Sequence, residues 1–278
     1  MAYISSKREV SVVMGIYNCA NTLEESIDSL LNQTFNNWEL IMCDDASTDE
    51  TLEIAMKYEE CYSNILVLKN DKNLGLAATL NNCLKNAHSK YIARQDGDDI
   101  SLPTRLEKQI NFLESNPGFA LVSCPMIFFD ENGDFGQSTL KAIPNKYDFV
   151  KGSPFSHAPS MIRHDVLDGV GNYTVSKFLR RGQDYYLWYK IYKNGWIGYN
   201  LSECLYKMRD DMQAIKRRKL IDRIYGAKIH AEVLYGLKLP AYCYVYVLIS
   251  LIKIMLPLTI YKSFHRQHLI KTRIKNEF

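Results

Sequence analysis

The sequence predicts an α/β protein: a central, mostly parallel sheet with flanking helices, plus a helical C-terminal extension. Three observations carry this. Over the first 125 residues, short apolar β-branched runs alternate with stretches of helical periodicity. Strand–helix units repeated every roughly 20–30 residues require parallel strands joined by crossovers, which lay helices on the sheet. Polar or acidic clusters follow several of the runs directly, and beyond about residue 213 the chain becomes basic, then apolar.

The elements follow in order. Glu9–Gly15 (EVSVVMG) is a β-branched run ending at glycine. Thr22-Leu-Glu-Glu25 has the spacing of a capping box and predicts a helix to about Asn32. Trp38–Cys43 is a second strand, followed by the polar turn Asp44–Thr48 and a helix over about 49–60. Ile65–Leu68 is a third strand. Leu76, Leu80, Cys83, Leu84 and Ala87 share one stripe, so 74–87 is helical. Lys90–Arg94 is a fourth strand, running into Gln95-Asp-Gly-Asp-Asp99. A helix is expected over about 102–113, with Ser101 as its cap, and then a strand over Phe119–Cys124. From residue 126 the pattern changes. Met126–Phe129 and the turn Asp130–Gly133 suggest a hairpin, and Ser160–Arg163 a short strand. Gln183–Tyr192 reads as a helix ended by Asn194-Gly195. Strands near 196–199 and 204–208 follow, then a basic helix over 213–237.

Composition narrows the class. Of 278 residues, 47% are hydrophobic and 12% aromatic, while Gly and Pro number only 14 and 8, which excludes disorder and collagen. The formal charge of +3 hides an asymmetry: from Gln213 onward there are 13 Lys/Arg against 3 Asp/Glu, leaving 21 against 28 before it. A net −7 body with a +10 tail points to an anionic partner for the tail. The seven cysteines are odd in number and contain no CxxC pair, so neither a disulfide framework nor a zinc site is implied. The first ten residues, MAYISSKREV, lack the apolar core of a secretory signal. After Gly15 the next glycine is Gly75, so neither GxGxxG nor a Walker loop is present, which argues against nicotinamide dehydrogenases and P-loop kinases.

In parallel α/β sheets, ligands bind beyond the carboxyl ends of the strands. Residues 15–18, Asp44-Asp45 and Asp96–Asp99 should therefore crowd one edge. Three carboxylates within four residues repel one another unless water or a cation intervenes. Aspartates alternating around Gly97 can aim oxygens at a hard divalent ion, and such an ion binds diphosphate readily. The alternative is a solvated Asx turn. Asp45 could accept from a base N–H or a ribose hydroxyl, or merely cap the helix that follows.

Ser11–Asn18 (SVVMGIYN), Cys43–Asp49 (CDDASTD), Asn73-Leu-Gly75 and above all Tyr91–Arg105 (YIARQDGDDISLPTR) resemble the family 2 glycosyltransferases. These are inverting enzymes of the GT-A fold that use nucleotide-activated sugars. The resemblance runs over about residues 10–218. It implies a domain over 1–212, with a nucleotide-binding half at about 9–125 and an acceptor half at about 126–212, followed by a 213–278 extension. It implies that Gly15 and Tyr17 line a uridine pocket, that Asp45 meets the uracil and that Asn73 borders the base. Asp96 and Asp98 would form the DxD motif, with Asp98 on Mn²⁺ or Mg²⁺, Asp96 assisting through the ribose or the metal, and Asp99 in support. Arg94 could reach the diphosphate of the UDP-sugar, or be an ordinary surface arginine. Gly182–Trp188 (GQDYYLW) is similar to the family's E-D-x-x-L-W segment, which makes Asp184 the base that deprotonates the acceptor hydroxyl, with Gln183 in the place of the usual glutamate. His157 could touch acceptor or diphosphate, or be structural. Tyr185, Tyr186 and Trp188 could be sugar platforms, although Trp188 at helical spacing reads as core. Where many members carry a histidine, this chain has Asp210 and Asp211, with Arg217 and Arg218 as possible substitutes or a solvated face.

The expected reaction is therefore transfer from a UDP-sugar to a saccharide or polyprenyl-linked acceptor during synthesis of a capsule, O-antigen or exopolysaccharide. The rival readings are a nucleotidyltransferase and a non-catalytic sugar-nucleotide-binding subunit. No nucleic-acid partner is implied, and an oligomer is possible. Residues 239–261 carry one charge, Lys253. That stretch suggests an in-plane interfacial helix, a span or an oligomer contact. With the basic tail, it places the enzyme in the cytoplasm, peripheral at the inner face of an anionic membrane.

Overall fold

The computed structural model describes residues 8–210 and 220–254. Ten strands and helices make up the first part of the chain. They are β1 (Val10–Ile16), α1 (Ala20–Leu31), β2 (Trp38–Asp44), α2 (Thr51–Cys61), β3 (Ile65–Lys69), α3 (Leu76–Leu84), β4 (Tyr91–Arg94), β5 (Ile100–Ser101), α4 (Arg105–Ser115) and β6 (Phe119–Ser123). The hairpin β7 (Ile127–Asp130) and β8 (Gly133–Gln137), β9 (Met161–Arg163), α5 (His164–Gly169), α6 (Gln183–Lys193), β10 (Ile197–Asn200) and β11 (Tyr206–Arg209) follow. The described part closes with α7 (Leu220–Gly236), a 3-10 turn (Ala241–Tyr244) and α8 (Val245–Ile254).

The main sheet has seven strands in the order β10-β6-β9-β4-β1-β2-β3. All its pairings are parallel except those of β9, which runs antiparallel between β4 and β6. Alternation along β1 explains why the sheet is covered on both sides. Val10, Val12, Met14 and Ile16 pack with Leu23, Ile27 and Leu30 of α1 and Leu106, Ile110 and Leu113 of α4. Val13 faces the other way, toward Leu80 and Cys83 of α3, Leu187 and Trp188 of α6, and Ile229 and Val233 of α7. The basic-helix segment thus shares the core of the sheet. All seven cysteines are free: Cys43, Cys83, Cys124 and Cys243 are buried as small apolar groups, whereas Cys61 is exposed.

A second, four-stranded sheet has the order β5-β11-β7-β8. β5 is the continuation of the acidic turn, and its pairing with β11 (Tyr206 opposite Ser101, Lys207 opposite Ile100) draws the end of β11 against Asp98 and Asp99.

Two caps differ from expectation. Helix α1 begins at Ala20, so Thr22 lies inside its first turn and donates its hydroxyl to the carbonyls of Cys19 and Gly97. The first amides find acceptors across space instead, Cys19 N–H on Thr51 Oγ1 and Ala20 N–H on Asp49 Oδ2. A tertiary neighbour replaced the local box. Ser101 belongs to β5 and bonds Gln95 Oε1 at 2.7 Å, so α4 starts later, at Arg105. Residues 211–219 and 255–278, which include Asp211, Arg217 and Arg218, lie outside the described residues.

Candidate active site

The loops after β1, β2 and β4 meet at the carboxyl edge of the sheet. At Gly15 a Cβ would come 3.0 Å from Leu76 Cδ1 and 3.3 Å from Thr79 Cγ2, so α3 packs tightly over this end of β1. Tyr17 is half exposed beyond it. Asn18 adopts φ 49° and ties the first two loops together. Its Oδ1 accepts from Thr48 N–H at 2.8 Å, and its own N–H donates to Ser47 Oγ at 3.0 Å. Asp44 accepts from Ser47.

Asp45 is buried and organises the next loop. One oxygen accepts from Asn70 Nδ2 and Leu74 N–H, each at 2.8 Å; the other accepts from Gly75 N–H at 2.9 Å. It thereby fixes the segment that carries Asn73, which is exposed. A carboxylate holding two backbone amides and a side-chain amide is a rigid floor for this corner.

The acidic turn is built by a network that sequence reading did not anticipate. Arg94 is buried and grips Asp96 with both terminal nitrogens, Nη1 at 2.8 Å and Nη2 closer still. The Asp96 N–H donates to the Tyr206 hydroxyl at 3.1 Å, and its carbonyl accepts from Ser26 Oγ at 2.7 Å. Arg105, fully buried, donates to the Arg94 carbonyl at 2.8 Å and stacks on the Tyr206 ring. Gln95 spans the turn, donating to Ser26 Oγ and the Asp99 carbonyl. At Gly97 a Cβ would meet Cys19 Sγ at 2.9 Å, so the turn lies flat on the β1 loop. Arg209 closes the far side. Its N–H donates to Asp99 Oδ1 at 2.8 Å, its Nε to the Asp98 carbonyl at 3.0 Å, and its Nη2 pairs with Glu25.

Oxygens of Asp96, Asp98 and Asp99 lie within 4.8 Å of one another. Enclosure by surrounding protein, then the Asp96 charge, pushes the Asp98 carboxyl up to about 6, although its side chain reaches solvent. Burial and the same like charges push Asp99 well above the usual range. The buried Asp99 Oδ2 has no hydrogen-bond donor. A hard divalent cation, taking oxygen ligands and offsetting clustered negative charge, fits this donor set.

Beside the turn opens a cavity of about 750 Å³, lined among others by Arg94, Asp96, His157, Gln183 and Asp184. Residues some ninety positions apart in sequence are thus brought to one space. Gly15, Tyr17, Asp45, Asn73 and Asp98 lie outside its lining. Asp184 sits in the first turn of α6, where the helix dipole favours a carboxylate, yet burial outweighs this and raises its pKa, with Arg94 pulling the other way. Gln183 Oε1 is buried without a donor. His157 Nε2 lies 2.8 Å from the Tyr173 hydroxyl, and burial, then the Arg94 charge, holds its pKa well below the usual value. Both effects favour the neutral imidazole.

The aromatic residues of α6 serve packing. Trp188 is fully buried, Tyr185 donates to the Phe149 carbonyl at 2.8 Å, and Tyr186 donates to Glu232 of α7 at 2.7 Å. Tyr206, Arg209 and Arg105 are residues to which the sequence alone assigns no role. Arg105 stood within the quoted motif, but only the second sheet reveals what it supports. Tyr206→Phe should leave the partly buried Asp96 N–H without its acceptor and lower stability by about 0.5–1.5 kcal/mol. Urea denaturation of the metal-free chain measures this, and an unchanged midpoint would contradict the network.

The model of the family described as "Glycosyl transferase family 2" matches residues 11–171. The putative glycosyltransferase EpsE of Bacillus subtilis is 43% identical over 271 residues, covering 97% of this chain and 98% of that protein. WfaP of Escherichia coli, named a UDP-Glc:alpha-D-GlcNAc-diphosphoundecaprenol beta-1,3-glucosyltransferase, is 32% identical over 186 residues, 67% of this chain and 71% of its own. Among solved structures, TarS 1–349 of S. aureus in complex with UDP-GlcNAc superposes with a TM-score of 0.70 at 20% identity, covering 88% of this chain and 72% of that one. The shared architecture is the GT-A fold, as the family resemblance implied; the strand–helix pattern had predicted its mostly parallel sheet. A family model spanning more than half the chain and a relative that matches nearly its whole length settle the assignment: this protein belongs to glycosyltransferase family 2.

Proposed function

We propose that the protein transfers a sugar from a UDP-sugar to a hydroxyl of a saccharide or lipid-linked acceptor, with inversion at the anomeric carbon, during assembly of a surface polysaccharide at the cytoplasmic side of a membrane. One observation carries this reading: a single cavity joins the Arg94–Asp96 pair of the acidic turn to Asp184 of α6. The UDP-sugar and the lipid-diphosphate acceptor are named for WfaP, and UDP-GlcNAc occupies TarS. Both support the choice of donor and acceptor class.

Asp98, with Asp96 and Asp99 beside it, would hold Mn²⁺ or Mg²⁺. A divalent ion there supplies charge neutralisation for the diphosphate leaving group. Arg94 is already committed to Asp96, so its guanidinium fixes that carboxylate and adds positive charge to the cavity wall. Asp45 and Asn18 shape the floor on which the nucleoside would rest, with Gly15, Tyr17 and Asn73 around it. On the acceptor side, Asp184 takes the proton from the attacking hydroxyl as the oxygen approaches the anomeric carbon from the face opposite the nucleotide. Gln183, with an unpaired buried oxygen, is placed to accept from an acceptor hydroxyl. His157, neutral and bonded to Tyr173, orients the cavity wall rather than supplying charge.

The test is a panel of UDP-, GDP-, ADP- and CMP-sugars, with and without Mn²⁺ or Mg²⁺, read by calorimetry and by slow donor hydrolysis. Preference for a UDP-sugar with metal is expected. Preference for another nucleotide would overturn the donor assignment.

A further inference from the structure

We infer that the outer side of the C-terminal helical pair docks on an anionic lipid bilayer, through an apolar face centred on Leu248 and an adjoining lysine-lined cavity. The helices are firmly held from within. Ala227, Ile229, Val233 and Leu234 of α7 are buried, and Leu237, Leu239 and Cys243 anchor the connection into the same core. Tyr244, Tyr246 and Val247 pack against that core from the inward side of the turn and α8.

Among the described side chains of the turn and α8, the exposed ones are apolar or aromatic. Tyr242, Val245, Leu248, Ile249 and Leu251 are all exposed, Tyr242 by 71% and Leu248 by 59%. They fall within one half of the helical circumference. The Ser250 hydroxyl is turned back onto the Tyr246 carbonyl at 2.9 Å. A surface helix normally presents a polar face to water, and one that is apolar all round belongs in a core or in lipid. Among the described residues no helix is long and apolar enough to cross a membrane. A helix of this kind lies in the interface plane.

The charges select a bilayer over a second copy of the chain. Where α7 passes into the turn before α8 lies a cavity of about 720 Å³, lined among others by Lys193, Lys238, Tyr235, Glu232 and Tyr244. Two ammonium groups there face one carboxylate, and Glu232 already accepts from Tyr186. Tyr235 is 79% exposed at its rim. Tyrosine and lysine at the edge of an apolar face suit the headgroup layer. Beyond residue 212 the sequence holds 13 Lys/Arg and 3 Asp/Glu. Two copies pressed together here would set Lys193 and Lys238 against their own counterparts, whereas anionic headgroups would attract them.

This extends the proposed lipid-carried acceptor to the surface that would hold it. Vesicle binding is read without nucleotide sugar, so failure of this inference and failure of the transferase reading are distinguishable. The full chain is floated with phosphatidylcholine vesicles with and without phosphatidylglycerol, at low and high salt. Binding only to anionic vesicles, weakened by salt, is expected. The double variant L248E/L251E places two carboxylates on the exposed face and should lower partitioning at least about tenfold with an unchanged thermal midpoint. The pair K193E/K238E should weaken binding to anionic vesicles in the same direction. Three results would each overturn the inference: no binding by the parent chain; undiminished binding by L248E/L251E, which would leave the basic tail alone responsible; or a dimer of the parent that L248E/L251E dissolves, which would give the face to a second copy.

Discussion

Asp184→Asn is expected to lower sugar transfer by about 10²–10⁴-fold, the usual contribution of a positioned general base, while leaving nucleotide-sugar affinity within a factor of about two. The amide keeps the shape of the side chain and its place in the first turn of α6. What it removes is the lone pair that can take a proton at neutral pH. An acceptor alcohol is a weak nucleophile without that transfer. Single-turnover transfer and calorimetric titration of the donor separate the two effects, and unchanged transfer would mean that the base lies elsewhere.

The same residue sets a pH dependence whose sign follows from its surroundings. Burial disfavours the charged form, so the Asp184 pKa is raised above 3.8 even though Arg94 opposes the shift. The base therefore protonates earlier as pH falls. The acidic limb of kcat/KM should lie above the ordinary carboxylate value, with activity present on its alkaline side and lost below it. In Asp184→Asn that limb should vanish from the residual activity. A wild-type limb at or below the ordinary value would show that Asp184 is ionised too easily to be buried as described.

Asp98→Asn is the second large effect. Altering a group that merely supports a metal's ligands typically costs about 10–100-fold in affinity, and loss of a ligand carboxylate should cost no less. Mn²⁺ binding followed by calorimetry or electron paramagnetic resonance should weaken by at least that range, and metal-dependent donor binding with it. The metal-free protein should keep or gain stability, because three carboxylates whose oxygens lie within 4.8 Å repel one another and the substitution removes one charge. Unaltered Mn²⁺ affinity would show that the acidic turn is held for its own hydrogen bonds rather than for a cation.

Much of this architecture was legible along the chain. Apart from the short strand β5, the order of strands and helices through residue 123 follows from periodicity, because alternation by two and by 3.6 residues reports which side of an element meets a core. The acidic turn was legible for a related reason: like charges at a strand end are costly, so their presence asks for a counter-charge. Periodicity was less informative about ends. Thr22 and Ser101 carry the right chemistry for caps, but Asp49, Thr51 and Gln95 supplied partners from elsewhere in the fold.

Tyr206, Arg105 and Arg209 show where one-dimensional reading stops. Each is an ordinary residue in its own segment. Their importance arises because β5 pairs with β11, a contact between positions 101 and 206, and nothing local in either segment encodes that register. The Arg94–Asp96 clasp is similar: the spacing of two residues was visible, while the burial that makes the pair rigid was not.

By itself the sequence determined the sheet, the family and the aspartates that face one another at the strand ends, since these depend on local pattern and residue chemistry. Only the tertiary structure decided that Asp184, His157 and Arg94 share one cavity, that Asp45 braces a loop, and that the last helices keep an apolar side outward. The physical reason is that such features are set by contacts between distant segments, whose closure depends on the packing of the whole core rather than on the preferences of any one stretch.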